Sequence, residues 1–312
     1  MIDLSIVIVN WNAGHYLIEC LRTLTMNTTR RSVEILVVDN QSTDGSAEAA
    51  QREFPSLTYI QTGANLGFAS ANNIGIRQSS GRYVCLINPD VAVHEGCLDR
   101  MCDYMDQQPS VGMLGPKVFN TDLTLQLSTR RFPGLWNSAC RAVALDALFP
   151  RSAIFGDVLM QSWAHDSIQP VDILSGCFWM IRRETLTIIG LLDEDFFMYG
   201  EDMDYCRRCW SSGMQIMFLP GATIVHHGGK SSSHFPVRFQ VENLRGTLRY
   251  WKKHHGGSAV MVFSAINLVH QMRRVVQGSL FYLLRSAQRQ RFLIEVQGAL
   301  ACGRLLLSPT RL

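Results

Sequence analysis

The most informative segment of this chain is residues 37–46, which read VVDNQSTDGS. A run of β-branched residues predicts a strand over Val33 to Val38, and the turn-forming residues that follow predict that the strand stops at Asp39. In an open parallel α/β sheet, ligands bind in the crevice beyond the carboxyl ends of the strands. Asp39 is therefore a candidate ligand-binding residue, although capping of the next helix or shaping of the turn would also explain it.

The neighbouring segments predict an alternation of strands and helices. Residues 1–9 are apolar and β-branched and then give way to the turn-forming sequence NWNAG, which predicts a first strand that ends near Asn10. Helical patterns follow both strands, at about residues 15–26 and 45–53. This order of elements is typical of the α/β class, with a mostly parallel, Rossmann-like central sheet flanked by helices.

Two later segments repeat the pattern of a strand that ends in polar residues. Residues 65–75 read NLGFASANNIG, follow a short strand predicted at residues 57–61 and lead into a helix. Gly67 in this segment allows a close backbone approach, and the helix start offers free N–H groups to an anion. A buried strand after Gly81 then ends in Asn88-Pro89-Asp90, so a second carboxylate lies at a strand terminus.

The second half of the chain contains an acidic segment between Gly190 and Cys206, which reads GLLDEDFFMYGEDMDYC. Acidic residues interleave with aromatic ones there, which is unusual for a solvated face. A helix is predicted to start near Glu201 and Asp202, and the amino end of a helix favours an ionised carboxylate. Helix capping by Asp202, with Glu201 as a surface acid, is the structural alternative.

Two strand-like runs, residues 215–219 and 222–225, lead into His226 and His227. Adjacent residues of a strand point to opposite faces, so only one of these imidazoles should reach a ligand site. Hydrogen-bonded loop histidines are the structural alternative. Lys230 and the serines after it are weaker candidates for phosphate contacts.

The composition is compatible with a globular enzyme. The 312 residues are 47% hydrophobic and 18% charged, which is enough apolar material for one large core, or for a core with an appendage. The nine cysteines are scattered, and no secretory leader precedes the first predicted strand. These features predict a reduced, cytoplasmic setting.

The net charge of +3 is unevenly distributed. Residues 236–312 hold twelve Lys and Arg against two Glu, a net charge of +10, whereas residues 1–235 carry −7. The basic segment lacks a recognisable nucleic-acid motif, and its charges alternate with apolar runs. It therefore predicts a basic amphipathic helical extension that lies at the inner face of an anionic cell membrane.

This extension is not expected to cross a bilayer. Its longest run without a charged residue or His, residues 256–269, is shorter than the roughly 20 apolar residues that a spanning helix needs. A helical subdomain that packs on the catalytic core or on a second subunit is the alternative. The pattern therefore leaves open whether the chain forms a homo-oligomer.

The ordered segments together resemble glycosyltransferase family 2, the large inverting family with the GT-A fold, and in particular its bacterial rhamnosyltransferase-like branch. The resemblance covers roughly residues 3–235. The motifs that carry it are residues 7–12 (VIVNWN), 37–45 (VVDNQSTDG), 65–68 (NLGF) and 88–90 (NPD). It implies a GT-A catalytic domain at residues 1–235, with a nucleotide-sugar half at about 1–120 and an acceptor half at about 121–235, followed by the basic extension.

The resemblance implies a nucleotide-diphosphate sugar as donor. Asp39 would accept a hydrogen bond from the pyrimidine ring N–H, and the backbone around Trp11 would pack against the base. Asn65 and Gly67 would border the nucleoside and the phosphates. The donor nucleotide-binding residues implied in this way are Val9, Asn10, Trp11, Asp39, Asn65, Gly67 and Asn88.

The resemblance also implies a divalent cation, Mg²⁺ or Mn²⁺. Asn88-Pro89-Asp90 lies where the family has its Asp-x-Asp motif, whose carboxylates hold the metal against the pyrophosphate. Asn replaces the first Asp here, so Asp90 is the stronger candidate ligand and tight metal dependence is in question. Related enzymes have a metal-ligating histidine after the strand that ends near residue 225, which makes His226 a candidate and His227 its competitor.

In the family, the Glu-Asp pair of the acidic segment provides the general base. The resemblance assigns this role to Asp202, which would remove the proton of the acceptor hydroxyl. Proton transfer to a correctly positioned base typically raises the reaction rate by a factor of about 10² to 10⁴. Glu201 is the alternative base or a ligand of the acceptor.

The chain is therefore expected to be an enzyme, an inverting glycosyltransferase of polysaccharide or cell-wall assembly. Its first-choice reaction is transfer of rhamnose from dTDP-rhamnose to a hydroxyl of a polysaccharide or lipid-linked glycan. Transfer of a hexose or galactofuranose from a UDP donor is one alternative. A non-catalytic module of the same fold that binds sugar nucleotides or glycans is another, but the carboxylates whose loss would favour it are all present: Asp39, Asp90 and Asp202.

Overall fold

The computed structural model describes residues 2–27, 29–228, 235–284 and 288–307. The chain divides into two compact units. The sheet unit comprises residues 1–130, 163–197 and 201–231, and the helical unit comprises residues 131–162, 198–200 and 232–312. Residues 131–162 thus group with the C-terminal helices.

The described strands all belong to the sheet unit. They are β1 (Leu4–Asn10), β2 (Val33–Asp39), β3 (Thr58–Gln61), β4 (Tyr83–Ile87), β5 (Val91–Val93), β6 (Val111–Phe119), β7 (Leu125–Gln126), β8 (Thr129–Arg130), β9 (Gln169–Pro170), β10 (Ile173–Leu174), β11 (Phe178–Arg182) and β12 (Gln215–His226). The described α-helices are α1 (His15–Met26), α2 (Ser46–Glu53), α3 (Phe68–Gln78), α4 (Cys97–Gln107), α5 (Leu135–Ala142), α6 (Leu145–Leu148), α7 (Arg183–Ile189), α8 (Glu201–Ser211), α9 (Pro236–Leu284) and α10 (Arg289–Leu307).

The central sheet has the strand order β3-β2-β1-β4-β11-β6-β12-β5, and β7 and β9 pair with β6 and β12. Within it, β1 pairs in parallel with both β2 and β4, β2 with β3, and β12 with β6. The antiparallel pairings include those of β11 with β4 and β6 and of β5 with β12. The predicted α/β fold, with a mostly parallel sheet flanked by helices, is confirmed.

The centre of the sheet is covered on both faces, which explains its continuous apolar sequences. The alternate residues Leu4, Ile6 and Ile8 of β1 are fully buried, and β4 is buried along its whole length. On one face, Leu17 and Leu21 of α1 belong to the same core as these β1 residues. Each fully buried side chain of this kind contributes roughly 1.5 to 3 kcal/mol to the stability of the fold.

The two strand-like runs predicted at residues 215–219 and 222–225 form one strand, β12. Its register against β6 shifts between Leu219 and Thr223, and Pro220 lies within the shift. Proline has no N–H for the sheet ladder, so an irregularity is where a strand tolerates it. The strand continues beyond the shift to His226, which pairs with Val91 of β5.

The helical unit is organised around α9, which is interrupted at Gly256, where φ is 80° and ψ is 177°. α10 packs along α9, and α5 is joined to α9 by a 2.9 Å hydrogen bond from Arg273 Nε to the carbonyl of Ala142. The predicted C-terminal helical extension is therefore present. None of the helices in the described residues is long and apolar enough to cross a membrane.

Gly67 supports a close backbone contact within the sheet unit. Its φ is 83°, and a Cβ atom at this position would lie 2.3 Å from the carbonyl oxygen of Phe197. The backbone N–H of Phe68 donates a 2.8 Å hydrogen bond to the same oxygen. Only a residue without a side chain allows this approach.

We expect Gly67→Ala to lower the free energy of unfolding by about 2 kcal/mol more than Gly63→Ala does. Gly63 has a similar φ of 74°, but a Cβ atom there would meet nothing within 4 Å. Both variants therefore impose backbone strain, and only the first adds a clash. Urea denaturation of the two proteins measures the difference, and equal losses of stability would show that the contact with Phe197 contributes nothing.

Candidate active site

The carboxyl ends of β1 and β2 bring Asn10 and Asp39 together. The two residues lie opposite each other in the sheet, and Asn10 Nδ2 donates a 2.9 Å hydrogen bond to Asp39 Oδ1. The other carboxylate oxygen accepts the backbone N–H of Ser42 at 3.2 Å. Asp39 thus shapes the turn, as the structural alternative expected, and its buried carboxylate is held at the edge of the sheet. Val9 and Trp11, on either side of Asn10, are half-buried.

The loop that contains Asn65 and Gly67 is tied to the end of β2 by Asn40. Asn40 Nδ2 donates to Asn65 Oδ1 at 3.0 Å, and Asn40 Oδ1 accepts the backbone N–H of Leu66 at 2.9 Å. Asn65 Oδ1 in turn accepts the N–H of Gly67 at 3.1 Å. The sequence prediction missed Asn40, although its position directly after Asp39 was a signal for it.

Asn88-Pro89-Asp90 forms the turn between β4 and β5. The backbone N–H of Asn88 donates to the carbonyl of Cys177 at 2.9 Å, and the carbonyl of Asn88 accepts the N–H of Val91 at 3.3 Å. These bonds fix the turn against the beginning of β11. Asp90 at its end is 9% exposed.

His226 lies beside Asp90, with 3.3 Å between His226 Nε2 and Asp90 Oδ1. The other ring nitrogen, Nδ1, is 2.6 Å from Gln126 Oε1, while Gln126 Nε2 donates to Asn120 Oδ1 and to the carbonyl of His226. Because an amide oxygen can only accept, Nδ1 must carry a proton, and in the neutral ring Nε2 is then left with a lone pair. Gln126, which the sequence prediction missed, thus determines which nitrogen of His226 faces Asp90.

The lone pair of a neutral His226 and the Asp90 carboxylate would repel each other at this distance unless a cation or a proton lay between them. Within the described part of the chain, His226 Nε2 is buried and has no hydrogen-bond partner. Imidazole nitrogen and carboxylate oxygen are both ligands of Mn²⁺, so this pair fits a divalent cation. The described residues contain no group of three or more His, Cys, Asp or Glu that could hold a metal, so further ligands would have to come from water and a bound diphosphate.

His227 has a different environment. Its Nε2 is 3.8 Å from Glu19 Oε1, and its ring centroid is 4.8 Å from that of Tyr16. Its backbone N–H donates to the carbonyl of Asp90 at 3.0 Å. His226 is therefore the histidine whose side chain reaches the Asp90 carboxylate, and Lys230 with the serines after it lies outside the described residues.

Glu201 and Asp202 begin helix α8, as the sequence predicts. Glu201 and Asp202 are the first two residues of the helix and are 6% and 9% exposed. Asp202 Oδ2 forms an ion pair with Arg130. Glu201 Oε2 is buried and, among the described residues, has no hydrogen-bond partner. The neighbouring Asp204 instead binds Arg208 at 2.9 Å, within the helix.

Arg130 is held against Asp202 by a small two-stranded sheet, β8 with β10. Its neighbour Thr129 is fixed by His165, whose Nε2 lies 2.9 Å from the Thr129 hydroxyl and whose Nδ1 lies 2.9 Å from the carbonyl of Trp163. The carbonyl can only accept, so Nδ1 donates to it and Nε2 accepts from Thr129. Burial lowers the pKa of His165, which agrees with a neutral ring. The sequence prediction missed Arg130, because nothing in the local pattern connects it with a residue 72 positions later.

The two carboxyl groups at the start of α8 have different environments. Burial, and then the negative charge of Asp202, raise the pKa of Glu201 from its ordinary 4.5 to about 8. Asp202, in contrast, forms an ion pair with Arg130. Two adjacent acids whose surroundings differ in this way are a common arrangement in active sites, where one carboxyl stays neutral while the other is charged.

The raised pKa of Glu201 makes the stability of the protein dependent on pH. The neutral Glu201 carboxyl contributes most to the free energy of unfolding below pH 4.5, the pKa of this group in the unfolded chain. That contribution is lost as the pH rises to about 8, the pKa of Glu201 in the folded protein. We expect Glu201→Gln to remove this loss, because Gln is neutral at every pH. The variant should gain stability relative to the native protein between pH 5 and pH 8, by a few kcal/mol at the upper end.

Thermal unfolding across this pH range measures the effect. Glu95→Gln is the matched control, because Glu95 is an exposed glutamate of the same unit. Parallel stability curves for the native protein and Glu201→Gln would contradict the assignment of a neutral Glu201.

This chain is similar in sequence to several known proteins. The family model for glycosyl transferase family 2 matches residues 5–188. The N-acetylglucosaminyl-diphospho-decaprenol L-rhamnosyltransferase of Mycobacterium tuberculosis is 31% identical over 81% of this chain and 85% of its own length. The rhamnosyltransferase WbbL of Escherichia coli is 23% identical over 78% of this chain and 91% of its own length.

Among solved structures, residues 1–349 of Staphylococcus aureus TarS superpose with a TM-score of 0.51 at 13% identity, over 99% of this chain and 91% of that one. At this level of identity the likeness concerns the fold alone, which is GT-A. The family to which this chain belongs is therefore decided by the family model and by the mycobacterial relative. This chain belongs to glycosyltransferase family 2 and is a glycosyltransferase similar to the rhamnosyltransferases of that family.

Proposed function

We propose that this enzyme transfers rhamnose from dTDP-rhamnose to a hydroxyl of a lipid-linked glycan, with inversion at the anomeric carbon. The observation that carries the proposal is the buried acid pair Glu201–Asp202, with Arg130 bound to Asp202. The names of the mycobacterial and E. coli relatives support rhamnose as the sugar, and the first also names a diphospho-decaprenol-linked acceptor. Transfer of another hexose, or of galactofuranose, from a UDP donor is the alternative that a donor screen separates.

In this proposal the donor nucleotide binds at the carboxyl ends of β1 and β2. Asp39 would accept the hydrogen bond of the pyrimidine N–H, and the backbone from Val9 to Trp11 would border the base. The loop that Asn40 holds in place would present Asn65 and Gly67 to the ribose and phosphates. Support comes from the shared edge of the sheet on which these residues lie.

The reaction is a single displacement. The acceptor oxygen forms a bond to the anomeric carbon while the bond from that carbon to the diphosphate oxygen breaks, and Asp202 takes the proton of the acceptor hydroxyl. Arg130 keeps the Asp202 carboxylate oriented through the ion pair. Glu201, whose raised pKa keeps its carboxyl neutral at neutral pH, would donate a hydrogen bond to the acceptor. It would replace Asp202 as the base only in its ionised form.

We propose Asp90 and His226 as the protein ligands of the divalent cation, with Asn88 beside them. Family 2 enzymes generally use such a cation, and the unsatisfied Nε2 of His226 next to the Asp90 carboxylate supports its location. A bound Mg²⁺ or Mn²⁺ would neutralise charge that develops on the leaving diphosphate. Gln126 would keep the ring of His226 in the orientation that ligation requires.

Catalysis is assigned to residues 1–235 and peripheral association with the inner face of the membrane to residues 236–312. The excess of positive charge in the second segment supports this division. A lipid-linked acceptor would be confined to the same surface.

We expect Asp202→Asn to bind the donor as tightly as the native enzyme. Its transfer rate should fall by a factor of about 10² to 10⁴, because the amide cannot take up the proton of the acceptor hydroxyl. Calorimetric binding and transfer assays over dTDP-rhamnose, other dTDP-sugars and UDP-sugars measure both quantities. Asp195→Asn is the control, an exposed aspartate just ahead of α8 that should retain both properties.

Three results would count against parts of the proposal. A transfer rate that Asp202→Asn leaves unchanged would refute the assignment of the base. Selective binding and turnover of a UDP-sugar would replace rhamnose by the alternative donor. Failure of the native enzyme to bind any dTDP-sugar would refute the proposed donor class.

The metal site has its own test. His226→Gln should weaken Mn²⁺ binding in the presence of dTDP by about 10-fold or more, because one of two protein ligands is lost. His227→Gln should leave it unchanged, since that side chain contacts Glu19 and Tyr16 instead. Electron paramagnetic resonance titration of Mn²⁺ distinguishes the two variants, and equal affinities would remove His226 from the site.

A further inference from the structure

The C-terminal part of α9 presents a row of apolar side chains to the solvent. We call this row the α9 stripe, and it consists of Val262, Ala265, Val269, Met272, Val276, Leu280 and Leu283. Its members recur every three or four residues, which is the spacing of one face of an α-helix. All of them are exposed, and the exposed fractions of those larger than Ala range from 48% to 71%.

The stripe points away from the side of α9 that packs on α10. Gln271 and Gly278, on the opposite side of the helix, are buried. A Cβ atom at Gly278 would lie 2.8 Å from Val296 of α10, so the two helices meet there. An amphipathic helix normally buries its apolar face, but α9 leaves this one outside the fold.

The exposed apolar face is broad as well as long. Met261 and Leu284, which flank the stripe, are each 69% exposed. At the helical rotation of about 100° per residue they widen the face to roughly 140° at its two ends, while Arg273, midway along the helix, falls within this range and binds the carbonyls of α5. Its length from Val262 to Leu283 is about 30 Å. The seam of a two-stranded coiled coil is narrower than this and keeps a strict seven-residue repeat.

The charge of the helical unit points to an anionic partner. The unit contains fifteen Lys and Arg against four Asp and Glu, whereas the sheet unit contains fourteen against twenty-two. Exposed cations of the same helices are Lys252, Lys253, Arg289, Arg291 and Arg304. A second copy of this unit would bring the same positive charge, but anionic lipid headgroups would attract it.

We propose that the α9 stripe inserts into the headgroup and acyl boundary of an anionic lipid bilayer, with the helix lying in the plane of the surface. The apolar side chains would enter the boundary while the cations of α9 and α10 contact lipid phosphates. This inference deepens the membrane association proposed above and depends on none of the catalytic assignments. It identifies the part of the basic extension that makes the contact.

Vesicle binding by the full-length protein tests this surface. The variant Val276→Gln/Leu280→Gln replaces two side chains at the centre of the stripe, and both are more than half exposed, so folding should be preserved. The control Leu123→Gln/Ile188→Gln makes the same change at two side chains of the sheet unit that are 66% and 62% exposed. Each protein is sedimented with vesicles of phosphatidylcholine containing 30% phosphatidylglycerol and with vesicles of phosphatidylcholine alone, about 30 mol% being a convenient anionic fraction.

We expect the stripe variant to bind the anionic vesicles about tenfold more weakly than the native protein, and the control to bind them as the native protein does. Binding should also weaken when phosphatidylglycerol is omitted or salt is raised. Circular dichroism before sedimentation verifies that each variant is folded.

Equal vesicle binding by the native protein and the stripe variant would overturn the inference. So would a native protein that is dimeric by light scattering and becomes monomeric on substitution of the stripe, because the occupant would then be a second copy. Transfer to a water-soluble acceptor analogue is measured in parallel and should be retained in the stripe variant. Loss of vesicle binding with retained transfer supports the inference, and a failed glycosyl transfer in the native protein would concern the catalytic proposal alone.

Discussion

The parallel pairing of β1 with both β2 and β4 is the constraint on which the site depends. Parallel strands end at the same edge of a sheet, and this edge therefore collects Asn10, Asp39 and the turn that ends in Asp90. The register matters as much as the direction. A slip of one residue would reverse every side chain of a strand, exchange the buried face for the other one and separate Asn10 from Asp39.

Strands beyond β1, β2 and β4 add further groups to this site. β12 runs along β6, passes the irregularity at Pro220 and pairs with β5, so that His226 arrives next to Asp90. Gln126, on β7 at the edge of β6, then orients the imidazole. The candidate metal pair is thus built from residues that lie 136 positions apart and is held by two kinds of strand pairing.

The two carboxyl groups at the start of α8 are buried in different electrostatic surroundings. Arg130 offsets the cost of keeping the Asp202 carboxylate in a largely buried position, but Glu201 Oε2 has no partner in the described part of the chain. Its ionisation is therefore opposed by burial and by the charge next to it. A buried acid of this kind is a poor contributor to stability and is most easily explained by the chemistry it serves.

Much of the fold could be predicted from local sequence. Residues 35–38 and 83–87 are continuous apolar runs within β2 and β4 that stop at polar residues. Helix boundaries such as those of α1 and α2 follow from periodicity and turn formers. Asp39, Asp90 and Asp202 could be selected because strand ends and helix starts are where an α/β fold exposes polar groups, and because their order resembles family 2. The union of two predicted strands into β12 could not be foreseen, since it depends on pairing with β6.

The sequence also determined the excess of positive charge after residue 235 and the apolar periodicity of the last helices. Tertiary structure alone decided which side of α9 is covered, because periodicity identifies an apolar face without saying what packs against it. It likewise decided that Arg130 meets Asp202 and that Gln126 meets His226. Contacts between residues 72 and 100 positions apart arise from chain topology and strand register, and these leave no trace in the local pattern.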